Sequence, residues 1–242
     1  MRGVMKRFLL CTMLLPMLCC CSARNQRDSQ QYEDLPIRVM KLLDAAERER
    51  DLAKHRWCSI SDLTDELKSI KQDMVRGVPV EKVERNVRAA ERFATAYDLQ
   101  YRMSESLEAY NSLDVVIRLY TEAIELNEGY AEAYDNRGEA YLVKGEFSLA
   151  LQDLHKAVEL KPGLSNAYNG LGNIYHLERD FDQAILYYSK AIELSWGFAV
   201  AWTNRGDAYM AKGELNEAMW DFNVACQLGY QPACKELQVL ER

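Results

Sequence analysis

The sequence predicts an all-α protein, an α-solenoid of repeated helical units with an N-terminal helical segment before it. The main observation is that residue types recur at a constant interval in the second half, with glycine at 138, 172 and 206. Within each period the apolar residues keep helical spacing and do not alternate as in a strand. A single helix pair cannot bury its apolar face alone, so tandem units must stack into a solenoid.

Residues 1–34 are predicted to be a targeting signal followed by a tether. Basic side chains in residues 1–7 precede an apolar run, FLLCTMLLPMLCC, over residues 8–20. As a helix rising about 1.5 Å per residue, this run is too short to cross a bilayer, which takes about 20 residues. The pattern is typical of a signal peptide at 1–20, and residues 21–34 are expected to be a flexible polar tether.

The end of the signal resembles the lipobox of bacterial lipoproteins, with Leu18 three residues before Cys21. The resemblance implies lipidation of the Cys21 sulfur, cleavage before it and acylation of the new amine, giving stable membrane anchoring. By resemblance to the sorting rule of enteric lipoproteins, Ser22, a residue other than Asp after the lipid-bearing cysteine, favours the periplasmic face of the outer membrane. Cys19 and Cys20 depart from the small residues usual at these positions, and an ordinary cleaved secretion signal is the alternative.

Residues 35–96 are predicted to form an N-terminal helical region that matches no family pattern. A first helix is expected from Ile37 to about Arg56 and a second from Asp62 to Arg76, with Ser61 as its N-cap. Gly77-Val78-Pro79 should end the second helix, and a third should begin directly after it and run into the first repeat.

Residues 97–232 divide into four units of equal length that resemble the tetratricopeptide repeat (TPR). Three units carry the family's glycine, tyrosine and alanine at matching positions, whereas the first is degenerate, with Ser104 in place of glycine. The resemblance implies two antiparallel helices per unit, which the small residues allow to approach closely, and stacking of these pairs into a right-handed α-solenoid. A C-terminal capping helix is expected at 233–242. Gly145 and Gly213 are expected to end first helices as left-handed C-caps. The predicted units are 97–130, 131–164, 165–198 and 199–232.

Two late cysteines, Cys226 and Cys234, are separated by about two helical turns of sequence. Their spacing is similar to that of cysteine-rich Sel1-like helical repeats, and the resemblance implies a disulfide joining the last unit to the capping helix. Two small buried thiols are the alternative. If Cys226 and Cys234 are bonded to each other, Cys58 has no partner within the mature chain, and its role stays open.

The sequence carries no catalytic, nucleotide-binding or metal-binding motif. Its three histidines, His55, His155 and His176, fall in different predicted helices. We therefore expect no enzymatic activity, no cofactor and no metal. The net charge of −7 disfavours nucleic acid as a partner, because binding to phosphate needs a basic surface.

The TPR resemblance places a partner-binding groove on the first helix of each unit. In this chain the corresponding positions are amide-rich and acidic, and they lack the lysine and arginine with which chaperone-binding TPR clamps hold a C-terminal carboxylate. A neutral or basic extended segment is therefore favoured, and a solvated polar face without a partner is the alternative. Arg137 and Arg205 are expected to pair with groove carboxylates. The candidate groove residues are Asp135, Asn136, Glu139, Asn166, Asn169, Asn173, His176, Thr203, Asn204 and Asp207.

Taken together, these features predict a membrane-anchored periplasmic TPR lipoprotein that acts as a scaffold or adaptor. Its partners would be envelope proteins or extended peptide segments, with a lipid anchor to the membrane. Resemblance to TPR lipoproteins of this layout suggests secretin or pilus assembly, or regulation of envelope hydrolases. The alternatives are a structural lipoprotein without a specific partner and a small-ligand or enzymatic protein that uses the groove.

Overall fold

The computed structural model describes residues 35–52, 57–103 and 113–240, and every regular element in these ranges is an α-helix. The all-α prediction is therefore confirmed. The predicted signal peptide, Cys21 and tether lie outside the described residues, as do His55 and the side chain of Cys58. The described helices are α1 (Leu35–Leu52), α2 (Trp57–Val75), α3 (Val80–Met103), α4 (Leu113–Leu126), α5 (Ala131–Lys144), α6 (Phe147–Leu160), α7 (Ser165–Leu177), α8 (Phe181–Leu194), α9 (Ala199–Lys212), α10 (Leu215–Gln227) and α11 (Gln231–Leu240).

The chain divides into two compact units, the first of which holds the described residues from 35 to 98 together with Glu122–Glu128. Helices α1 and α2 pack against each other. Arg38 ties α1 to α3, because its guanidinium lies 2.9 Å from Glu84 and 2.7 Å from Glu91. The buried side chains of this unit include Val39, Leu67, Ile70, Val87 and Phe93.

The helix boundaries of the first unit differ in part from the prediction. Helix α2 begins at Trp57, not at Asp62, so Ser61 lies inside the helix and cannot be its N-cap. A capping residue type marks a possible helix start, but a serine inside a helix costs too little to force one there. The predicted stop is confirmed: Gly77 has a left-handed φ of 73°, and α3 begins at Val80.

The second unit contains the described residues of Leu99–Thr121 and those from Gly129 onward. Its helices pack as the pairs α5–α6, α7–α8 and α9–α10, and successive pairs are in contact. The recurring glycines explain how the helices of a pair come so close. A Cβ added at Gly172 would lie 2.5 Å from the Tyr188 ring, and one at Gly206 would lie 2.8 Å from the Phe222 ring. Each glycine thus leaves the space that a large side chain of the next helix fills.

Helices α5 and α9 end in the left-handed conformation that the sequence predicts. Gly145 and Gly213 both have φ 82° and ψ 12°, a backbone conformation that glycine adopts without a Cβ penalty. In the intervening repeat the corresponding residue is Arg179, which adopts a positive φ of 65°.

The last helix, α11, is bonded covalently to the helix before it. Cys226 near the end of α10 and Cys234 in α11 form a disulfide. Ala233 is fully buried beside it, in a cluster that includes Phe222 and Ala225. Within the described ranges, no helix has both the length and the apolar character needed to cross a bilayer.

Candidate functional site

The candidate groove residues lie on α5, α7 and α9, the first helix of each pair. On each helix their spacing is mostly three or four residues, so they share one helical face. Hydrogen bonds join the candidate residues of α7 to those of α9. The partly exposed residues on these two helices are Asn166, Asn173, His176, Asn204 and Asp207. The candidate site is therefore centred on these two helices.

Three asparagines join α7 to α9 through a hydrogen-bonded amide network. The Asn204 side-chain amide donates to the Asn169 Oδ1 at 3.0 Å and to the Asn173 Oδ1 at 3.1 Å. The Tyr188 hydroxyl, from helix α8, donates to the same Asn173 oxygen at 2.9 Å. Tyr188 is the buried ring that packs against Gly172. The orientation of the groove amides is therefore set by the core beneath them.

An acidic group, Asp207, lies on α9 one turn beyond Asn204. Burial, together with the negative charge of Glu236, raises the pKa of Asp207 to about 6. Burial also raises the pKa of the Tyr188 hydroxyl, and the charge of Asp207 adds to this effect. The carboxyl is thus ionised at neutral pH and becomes protonated under mildly acidic conditions.

The groove positions on α5 are largely covered. Asp135 and Asn136 are 3% and 4% exposed, and the Asn136 amide donates to the Glu132 backbone oxygen at 2.8 Å. Glu139 is partly buried, and burial raises its pKa. In this structure, α5 offers a partner less polar surface than α7 and α9.

The remaining candidates have structural roles or lie at the edge of the groove. Thr203 is buried, and its hydroxyl donates to the Ala199 backbone oxygen at 3.0 Å. Burial lowers the pKa of His176, whose ring packs edge-on against Phe181 with centroids 5.3 Å apart. Asn166 is partly exposed at the start of α7. Across the described ranges, no cluster of three or more His, Cys, Asp or Glu side chains could hold a metal ion.

The expectation that Arg137 and Arg205 pair with groove carboxylates is wrong. Each makes a two-pronged ion pair with an aspartate of the following helix: Arg137 with Asp153 at 2.7 and 2.8 Å, and Arg205 with Asp221 at 2.8 Å for both bonds. The reason is geometric. At about 100° per residue, these arginines lie on the opposite side of their helices from the groove positions.

The sequence does carry a signal for these ion pairs. Arginine and aspartate recur at the same separation in two repeats, at 137 and 153 and again at 205 and 221. Two charged residues that recur together at matching repeat positions indicate a pair across the two helices. The glycine and alanine pattern alone does not reveal it.

The TPR interpretation of this region is confirmed by family comparison. Models of the tetratricopeptide repeat match residues 131–164, 165–195 and 199–228. These residues are therefore tandem TPRs, and such repeats support a role in protein–protein interaction. The degenerate first repeat at 97–130 stays a prediction.

Among solved structures, the chain is similar to several helical proteins. The N-terminal domain of stress-induced protein-1 (STI-1) from C. elegans is 25% identical, with 46% of this chain and 94% of that chain covered and a TM-score of 0.43. The first TPR of Spaghetti (RPAP3), bound to the HSP90 peptide SRMEEVD, is 23% identical, with coverages of 46% and 90% and a TM-score of 0.43. MamA protein is 25% identical, with coverages of 72% and 96% and a TM-score of 0.45. No curated protein matches the sequence significantly.

Proposed function

We propose that this protein is a scaffold that binds an extended segment of a partner protein along α7 and α9. We call this surface the amide groove and define it by Asn166, Asn169, Asn173, Asn204 and Asp207. The observation that carries the proposal is the network in which Asn204 reaches across to both Asn169 and Asn173. It holds side-chain amides from two successive repeats in fixed positions.

The chemistry of the groove suits a polypeptide backbone. The bonds within the network use the Oδ1 atoms of Asn169 and Asn173 and the side-chain nitrogen of Asn204. They do not use the Asn204 Oδ1 or the Asn173 side-chain nitrogen, an acceptor and a donor of the kind that peptide groups need. Both of these residues are partly exposed, whereas Asn169 is buried and serves to hold Asn204. An extended strand presents its N–H and C=O groups at intervals of about 3.3 Å per residue. Ionised Asp207 favours a segment that carries lysine or arginine.

The amide groove can be tested with an array of short synthetic peptides that differ in net charge. The variant Asn166→Ala with Asn204→Ala should lose about 10- to 30-fold in affinity for the basic peptides that the full-length wild-type chain retains. This corresponds to losing two hydrogen bonds of about 1 kcal/mol each. Asn173 is left intact because it also holds Tyr188. Asn223→Ala, on an exposed position of α10, is the matched control and should bind like wild type.

The pH dependence of binding adds a second criterion. Affinity for a basic peptide should fall as pH drops through about 6, where Asp207 gains a proton, and Asp207→Asn should remove that dependence. Equal retention by the double asparagine variant would place the contact elsewhere on the chain. Failure of every peptide to bind wild type would favour a structural protein without a specific partner.

We also propose that the scaffold is a bacterial envelope lipoprotein anchored through Cys21 at the periplasmic face of the outer membrane. The support is the sequence alone: a basic start, a short apolar run, Leu18 three residues before Cys21, and Ser22 after it. A lipid anchor would place the amide groove beside envelope proteins, such as those of secretin or pilus assembly or those that regulate envelope hydrolases.

Metabolic labelling with a fatty-acid analogue tests the anchor. Wild-type chain expressed in a bacterium should incorporate the label and fractionate with membranes, whereas Cys21→Ala should do neither because the acceptor sulfur is absent. Cys58→Ala is the control and should label like wild type. Equal labelling of wild type and Cys21→Ala would exclude the proposed anchor.

A further inference from the structure

A second periodicity, twice the repeat length, runs through the TPR array. Arg137 and Arg205 occupy equivalent places, as do Asp153 and Asp221. Each arginine also bonds a hydroxyl of a preceding helix: Arg137 to Thr121 at 3.0 Å and Arg205 to Ser189 at 2.9 Å. The helices themselves correspond, since α5 and α9 have equal length and identical C-cap angles. The repeats at 131–164 and 199–232 can therefore be compared place by place.

The first of these repeats contains an open cleft of about 590 Å³ between α5 and α6. Its lining includes the Arg137 guanidinium, which lies 5.6 Å from the Tyr134 ring centre and 5.9 Å from that of Tyr141. Gln152 and Leu149 of α6 also line it. We call this the Tyr134 cleft.

In the later repeat, two tryptophans crowd the equivalent place. Trp202 corresponds to Tyr134 and Trp220 to Gln152, and their rings meet edge to face with centroids 5.1 Å apart. Trp196, which corresponds to Glu128, contacts Trp202 at 4.7 Å. Both outer tryptophans are more than half exposed, at 60% for Trp196 and 52% for Trp220. The chain thus supplies its own indole where the earlier repeat has an open cleft.

We propose that the Tyr134 cleft binds the side chain of a tryptophan exposed on a partner protein. The incoming indole takes the place that Trp220 takes over Trp202, and packs against the Tyr134 ring in an edge-to-face arrangement of the kind that aromatic pairs favour. Arg137 lies over the Tyr134 ring as Arg205 lies over the Trp202 ring, 4.7 Å from its centre, so both repeats present an aromatic ring held by the equivalent arginine. Because the arginine charge is balanced by Asp153, a neutral aromatic group fits better than an anion.

This site is separate from the amide groove. Tyr134, Arg137 and Tyr141 lie on one side of α5, whereas the groove positions of the array lie about 180° away on the first helices. A partner could occupy the cleft and the groove at once, or two partners could each occupy one. The proposal therefore does not depend on the peptide-binding function of the groove.

Two reciprocal substitutions test it in the full-length chain. Gln152→Trp gives the early repeat the residue of the late one and should fill the cleft. Trp220→Gln does the reverse and should open a second cleft over Trp202. The probe is the capped peptide acetyl-Gly-Trp-Gly-amide, and acetyl-Gly-Leu-Gly-amide is its control. Binding is followed by the perturbation of backbone amide resonances in α6 and α10, with thermal unfolding as the check on folding.

Wild type and the two variants should each give a different pattern of peptide binding. Wild type should bind the tryptophan peptide with perturbations confined to the repeat at 131–164, and should bind the leucine peptide about 2- to 10-fold more weakly, in line with the worth of an aromatic pair. Gln152→Trp should lose this binding, and Trp220→Gln should gain perturbations in α10. Absence of binding to wild type, or its persistence in folded Gln152→Trp, would overturn the proposal. So would failure of Trp220→Gln to gain a site, since the equivalence of the two repeats would then be wrong.

Discussion

Replacing Arg205 by alanine should destabilise the protein by about 3–5 kcal/mol, the usual cost of leaving one member of a buried ion pair without its partner. The Asp221 side chain is fully buried and receives two hydrogen bonds from Arg205. Arg205→Ala also removes the bond to Ser189 and the contact with the Trp202 ring. Chemical denaturation at pH 7, monitored by helical circular dichroism, measures the loss.

The pH dependence gives a further criterion. Burial already raises the pKa of Asp221 although Arg205 lowers it, so removing the arginine should raise this pKa further. A raised folded-state pKa costs stability above the unfolded-state value of the carboxyl, and the cost vanishes when both states are protonated. The deficit of Arg205→Ala should therefore shrink as pH falls towards 4. A deficit that does not depend on pH would contradict the role assigned to Asp221.

The intervening repeat supplies a matched control for this experiment. At the places of Arg205 and Asp221 it carries Leu171 and Tyr187, and there Tyr187 stacks on Tyr175 with ring centroids 5.2 Å apart. Arg205→Leu with Asp221→Tyr reproduces this apolar arrangement. The double variant should be markedly more stable than Arg205→Leu alone, because no buried charge is left unpaired.

Replacing Gly172 by alanine should cost about 1–3 kcal/mol, the range typical of overpacking a close-packed core. The new Cβ would lie 2.5 Å from the Tyr188 ring, which is itself buried and cannot move without displacing its neighbours. Thermal and chemical unfolding measure the effect. Gly197→Ala is the control, because nothing lies within 4 Å of a Cβ at that position and its φ is not in the left-handed region.

The same substitution should alter the amide groove. Any shift of Tyr188 changes its 2.9 Å hydrogen bond to the Asn173 Oδ1. The same oxygen is one of the two that accept hydrogen bonds from the Asn204 side-chain amide. The side-chain amide resonances of Asn173 and Asn204 should therefore move in Gly172→Ala and stay in place in Gly197→Ala. Unchanged resonances in a destabilised Gly172→Ala would show that the core does not set the orientation of the groove.

The sequence predicts this fold well because the small residues that allow close helix packing recur at the same position of several repeats. Gly138, Gly172 and Gly206 show the same need for close approach, so chance agreement is excluded without any knowledge of the partner helices. Helix starts without such repetition are harder to place, and the second helix begins at Trp57, more than a turn before the predicted Asp62.

The candidate site was predictable in position but not in exposure. Spacing places Asn136 and Asn204 on the same face of their helices, yet Asn136 is buried whereas Asn204 is partly exposed. Exposure depends on what packs above a residue, and helical periodicity contains no information about that. The partners of Arg137 and Arg205 are a different case, because helical angle and the recurring aspartates at 153 and 221 indicate them. Proximity in sequence to the groove carboxylates points to the wrong side of the helix.

The disulfide between α10 and α11 makes the C-terminal boundary of the solenoid sensitive to the redox state of its surroundings. Repeat arrays lose structure most easily at their ends, where a unit has only one neighbour. While Cys226 and Cys234 are joined, α11 cannot separate from α10 and the apolar cluster around Phe222 stays covered. In a reducing environment only the packing of Ala233, Leu237 and Leu240 would retain α11, and loss of the helix would expose that cluster to solvent. Oxidation thus holds α11 against the last described repeat.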